Sequence, residues 1–161
     1  MKVCKVAIIG CGRIAGHHCR AIVATEGLEL TAVCDLKIEK ANAYHDEFGV
    51  PAFSNYHAML SEIIDIDIVA IITPSGMHLE HSLDILKIYK KHIIVEKPTF
   101  MKPSELNEAY RVAEKFDLKI FPVFQNRYNL AVQRVREALI KGELGDIRVI
   151  GVRVRWCRPQ R

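Results

Sequence analysis

No apolar run in this chain approaches the roughly 20 residues that span a bilayer, so an integral membrane protein built on helices is excluded. The cysteines form no CxxC pair and the histidines no HExxH arrangement, which removes the common zinc and redox signatures. There is no internal repeat and no low-complexity linker. A secretion signal is also missing: the start, MKVCKVAIIGCG, has an apolar centre of only about five residues and reads as a short strand ending at glycines. Five scattered cysteines without such a signal point to free thiols in a reducing cytoplasm. What remains is a chain of 161 residues, half hydrophobic and 26% charged, enough for one packed domain, or one plus the start of another.

The net charge of +4 is uneven. Residues 127–161 hold nine basic and three acidic side chains, +6, leaving −2 for the rest. A basic tail suggests nucleic acid. The tail lacks stacking aromatics beyond Tyr128 and Trp156, however, and its arginines alternate with apolar residues in Val152–Trp156, which is strand patterning.

Short apolar runs alternate with helical periods. Val3–Ile9, Leu28–Cys34, Ile66–Ile72, His92–Val95 and Leu118–Phe124 are near-continuous apolar stretches, as strands covered on both faces require. Between them, Arg13–Thr25 sets Ile14, Ala21 and Ile22 on one helical face. Leu79, Leu83 and Leu86 do the same further on, as do Leu106, Ala109, Tyr110 and Ala113. Pro103 suits the first turn of that last helix. A final helix near Leu130–Ile140 carries Val132, Val135 and Leu139, with Gly142 as its stop. Such alternation predicts an α/β protein with a parallel sheet. After it, Ile147–Trp156 reads as one long strand with no later partner, as if it opened a second domain.

In VAIIGCGRIAG, Gly10, Gly12 and Ala15 match G-x-G-x-x-G/A between a strand and a helix. The first glycine permits the turn, the second lets backbone approach a pyrophosphate, and the small third residue lets helix and strand pack closely. Asp35 closes the second strand, 25 residues after Gly10, where a carboxylate accepts hydrogen bonds from ribose hydroxyls. With Arg13 and Ile14 these residues form a candidate dinucleotide site. The carboxylate favours NAD over NADP, although Lys37 leaves room for mixed use. His17 and His18, about 100° apart on the helix, do not make a metal site.

Two more loops follow strands: Thr73-Pro74-Ser75-Gly76-Met77-His78 and Glu96-Lys97-Pro98. Together with IIGCGRIAG, the TPSGMH and VEKP segments resemble the Gfo/Idh/MocA family of nicotinamide-dependent oxidoreductases. FQNRYNLAVQ and VRVRWCRPQ look further like its WlbA-like branch, which oxidises the 3-hydroxyl of UDP-N-acetylglucosaminuronic acid in lipopolysaccharide sugar synthesis.

The resemblance implies a doubly wound parallel sheet of the NAD(P)-binding Rossmann type over residues 1–125. Residues 126–161 would then be the connecting helix and first strand of a truncated, substrate-binding α+β domain. It implies NAD as cofactor and a sugar or nucleotide-sugar substrate. Thr73, Pro74 and His78 would line the cofactor beyond the pyrophosphate, and Glu96, Lys97 and Gln125 would surround the nicotinamide. Lys97 would be catalytic, stabilising the developing alkoxide, and Glu96 would orient it or contact cofactor ribose. Lys97, Asn126 and Arg127 would reach substrate. A cis Lys97–Pro98 bond is expected as well.

The family's substrate-binding half, with its acid/base histidine, has no counterpart here. The 161-residue chain is therefore expected to fold but to show no, or only trace, dehydrogenase activity alone, and an alternative is a catalytically incomplete NAD-binding module serving as sensor or partner subunit. A methyltransferase, which shares the glycine loop and acid, is disfavoured by the EKP segment. The unpaired strand of 147–156 is expected to draw copies of the chain into a homo-oligomer.

Overall fold

The computed structural model describes residues 3–155, which divide into a unit ending at Val123 and a unit beginning at Phe124. In the first, strands and helices alternate: β1 (Cys4–Ile9), α1 (Ala15–Ala24), β2 (Leu28–Cys34), α2 (Ile38–Phe48), β3 (Ala52–Phe53), α3 (Tyr56–Glu62), β4 (Ile68–Ile71), α4 (His78–Asp84), β5 (His92–Val95), α5 (Pro103–Lys115) and β6 (Ile120–Pro122). A 3-10 turn, Ser75–Met77, leads into α4, and a π-helical turn, Ile85–Tyr89, extends it.

All six strands pair in parallel in the order β3-β2-β1-β4-β5-β6. The chain starts in the middle and builds outward in both directions, so the order reverses between β1 and β4. Successive side chains of a strand point to opposite faces. Ala7 and Ile9 accordingly join one core with Val69, Ile71, Met59, Leu86 and Ala109, under α3, α4 and α5. Val6 and Ile8 join the other with Val33, Ala70, Cys19, Ile22 and Ala41, under α1 and α2. Helices cover both faces, which is why the strands read as unbroken apolar runs.

The expected helical faces need correction. On α1 the buried residues are Ala15, Gly16, Cys19 and Ile22, while Ile14 is 44% exposed at the N-cap and Ala21 is exposed. Small residues face inward because the helix lies close to the sheet. On α5, Ala109 and Ala113 are buried, but Leu106 and Tyr110 are not. Pro103 does open that helix, where its missing N–H breaks no bond.

In the second unit, Gln125–Tyr128 form a 3-10 turn and α6 runs Leu130–Ile140. The Asn129 side chain caps α6, accepting from the Ala131 N–H at 3.0 Å. Gly142, with φ of 70°, ends the helix by donating to the Leu139 carbonyl at 3.1 Å. Val132, Val135 and Leu139 are all exposed, and Ala138 is the one buried residue of α6.

The strand expected over Ile147–Trp156 is not formed at residues 147–155, and Trp156 lies outside the described residues. A strand needs a neighbour to take its N–H and C=O groups, and no strand of this unit is present among the described residues. Val149, Ile150, Val152 and Val154 stand exposed.

Candidate active site at the carboxyl ends of the strands

Gly10 ends β1 with φ of 98°, a conformation costly for any other residue. A Cβ there would lie 2.6 Å from the Ile72 carbonyl oxygen, so glycine lets β1 and the loop after β4 run side by side. Gly12 differs: a Cβ on it meets nothing within 4 Å. The space over Gly12 is open to a ligand. Behind it α1 begins without a capping side chain; the Ala15 N–H donates to the Gly12 carbonyl at 3.1 Å and the His17 N–H to the Ile14 carbonyl at 3.0 Å, and the positive end of the helix dipole favours an anion beside this turn. Arg13 and Ile14, both exposed, flank that start.

Asp35 faces this loop from the end of β2. Its Oδ2 accepts from the Cys11 N–H at 2.9 Å and its Oδ1 from the Lys37 N–H at 2.9 Å. Each carboxylate oxygen can accept two hydrogen bonds, so both keep capacity for ribose hydroxyls. Cys11, Cys19 and Cys34 are free thiols buried below the loop. Burial, then the Asp35 charge, pushes Cys11 up to about 12, and Cys34 likewise to about 12; burial takes Cys19 to about 11. No thiolate forms there to repel a phosphate. Among the described residues, no three or more His, Cys, Asp or Glu side chains, those of His17 and His18 included, are grouped so as to hold a metal ion.

The loops after β4 and β5 are joined through His78. Its Nε2 lies 2.8 Å from the Thr73 carbonyl, and its Nδ1 lies 2.9 Å from the Pro98 carbonyl and 3.3 Å from that of Thr99. His78 is 1% exposed, so it holds backbone in place and does not present its ring to a ligand. Thr73 Oγ1 meets His81 Nδ1 at 3.0 Å, which fixes the same loop from the next turn of α4. Pro74 is exposed. The Lys97–Pro98 bond is cis, as expected.

Glu96, 9% exposed, anchors the turn in two ways: its N–H donates to the Ile71 carbonyl at 3.1 Å, and its Oε2 accepts from the Lys97 N–H at 2.8 Å. Its Oε1 lies 2.9 Å from His18 Nε2, a contact between α1 and the turn that the sequence reading missed. The Lys97 side chain is exposed and makes no ion pair among the described residues. Gln125, Asn126 and Arg127 belong to the second unit. There Arg127 lies over the Phe124 ring and lines an open groove of about 580 Å³ with Tyr128, Val132, Gln133, Arg136 and Glu137.

A glycine turn, an unobstructed helix start and an acid at the end of the next strand, set at the switch point of a doubly wound sheet, define a dinucleotide-binding domain. Residues 4–124 match the oxidoreductase family with NAD-binding Rossmann fold, GFO_IDH_MocA, and the chain belongs to that family. It is 33% identical over 156 residues to D-glucoside 3-dehydrogenase of Escherichia coli K12, a match covering 95% of this chain and 44% of that protein. It is 32% identical to glucose-6-phosphate 3-dehydrogenase of Bacillus subtilis over 92% of this chain and 41% of the relative. The crystal structure of the WlbA dehydrogenase from Bordetella pertussis, in complex with NADH and UDP-GlcNAcA, superposes with a TM-score of 0.82 at 28% identity, over 90% of this chain and 44% of the other. The chain thus spans less than half the length of these relatives.

Proposed function

We propose that this chain is the cofactor-holding part of an NAD-dependent sugar dehydrogenase. Asp35 and the loop of Gly10, Gly12, Arg13 and Ile14 hold the adenosine and phosphates, and Thr73 and Pro74 line the way onward. His78 acts through the backbone that it holds. Glu96 and Lys97 stand beside the nicotinamide. NAD, when bound, supplies the acceptor for a hydride from the carbinol carbon. The ammonium of Lys97, exposed to solvent, holds the hydroxyl oxygen and stabilises the charge that develops as its proton passes to water.

One observation carries this reading. The turn bearing Lys97 is fixed by Glu96 and His78 while its ammonium is left exposed and, among the described residues, without an ion pair. It stands two strands from the glycine loop, about 10 Å at the usual strand spacing, within reach of an extended dinucleotide. The substrate class is a sugar with an oxidisable ring hydroxyl. A UDP-linked amino sugar or uronic acid is supported by the likeness to WlbA, and an unconjugated glucoside by the relatives' names. We place the reaction in the cytoplasm, where the free thiols of Cys11, Cys19 and Cys34 stay reduced.

A second reading is an NAD-binding module without turnover of its own, for which the family match over the NAD-binding fold at residues 4–124 is the support. Assays of NADH formation with glucosides and UDP-sugars separate the two. Turnover by the full-length protein that Lys97→Ala abolishes supports the first reading, NADH binding by the full-length protein without turnover the second, and no binding removes both.

A further inference from the structure

We infer that His18 is a positioning residue for Lys97, acting through the carboxylate of Glu96; its bearing on catalysis rests on the function proposed above. His18 lies in the second turn of α1, the helix whose start faces the open space over Gly12. Its side chain is largely buried, at 18% exposure, and that of Glu96 at 11%. With Glu96 ionised, its two oxygens only accept. Oε1 takes the His18 Nε2–H at 2.9 Å and Oε2 takes the Lys97 N–H at 2.8 Å. The carboxylate is therefore divided between two elements, with one oxygen on the helix behind the glycine loop and the other on the backbone of the lysine.

The Lys97 N–H comes from the neighbouring residue, but the His18 contact is long-range: residues 18 and 96 are 78 apart in sequence, and the link crosses from the end of β5 to the helix that follows β1. Without His18, the Glu96 carboxylate keeps one partner among the described residues, the Lys97 N–H, and its Oε1 loses the bond that fixes its angle. Charge-assisted bonds of this kind between largely buried groups are the stronger class. A residue that merely filled space beside the loop would not need an N–H at Nε2.

The test uses the 161-residue chain. A long-range 1H–15N spectrum of the wild type should show His18 protonated at Nε2, and a ring with a bare Nε2 would overturn the inference. Hydrogen exchange at the Lys97 amide should quicken about tenfold in His18→Leu and return most of the way in His18→Gln, whose amide nitrogen also donates. Exchange within about twofold of wild type in His18→Leu, or equal behaviour of the two variants, would overturn it too. These measurements need no cofactor. A chain that fails to bind NADH would therefore remove the proposed function while the spectra still decide the role of His18.

Discussion

Nδ1 of His78 lies 2.9 Å from the carbonyl oxygen of Pro98, so a buried ring on α4 clasps the turn that presents Lys97. The other ring nitrogen reaches the Thr73 carbonyl at 2.8 Å. Carbonyls only accept, so whichever ring nitrogen carries hydrogen donates to the backbone on its side.

Replacing His78 by alanine leaves buried carbonyls without donors and opens a space between two loops. We expect a loss of about 1–3 kcal/mol, read from urea unfolding at neutral pH. Wild-type stability in the variant would mean that water or neighbouring groups serve those carbonyls equally well.

The two glycines of the loop should separate folding from binding. Gly10→Ala combines φ of 98° with a Cβ 2.6 Å from the Ile72 oxygen. It should destabilise by at least about 2 kcal/mol. Gly12→Ala meets no atom within 4 Å. Its unfolding midpoint should barely move, while NADH affinity should fall about tenfold, as a methyl group enters the ligand's space. Equal affinity in Gly12→Ala would show that no pyrophosphate comes near.

His81 makes stability depend on pH. Burial lowers its pKa below the ordinary 6.5, against partial support from Glu80 and Asp84. The unfolded chain therefore takes up its proton first. The stability that His81 contributes is whole above 6.5 and is lost as pH falls from there through the lower folded value. Unfolding midpoints between about pH 7.5 and about pH 5 should decline, and less steeply in His81→Gln. Identical slopes in the two proteins would contradict this.

Strand positions were legible in the sequence because a sheet covered on both faces leaves nearly every strand residue apolar. β3 escaped because two residues, Ala52 and Phe53, make no pattern. α2 escaped because only Ala41 of its residues is buried. The glycine loop and Asp35 were readable, since turn geometry and spacing along one chain dictate them. The His18–Glu96 contact was not, because only the sheet's folding brings residues 78 apart in sequence together. The strand over residues 147–155 was misread for a related reason. Alternation describes a half-buried strand only when a neighbour exists to pair with it.

The central claim is that the glycine loop and Asp35 form a site for NAD(H). It is tested most directly by fluorescence titration of the chain with NADH and NADPH, in wild type and Asp35→Ala. Asp35 repels a 2′-phosphate and accepts from the ribose hydroxyls. We expect NADH to bind at least about tenfold more tightly than NADPH, and Asp35→Ala to erode most of that preference. Equal or tighter binding of NADPH by the wild type, or no binding of either nucleotide, would contradict the account.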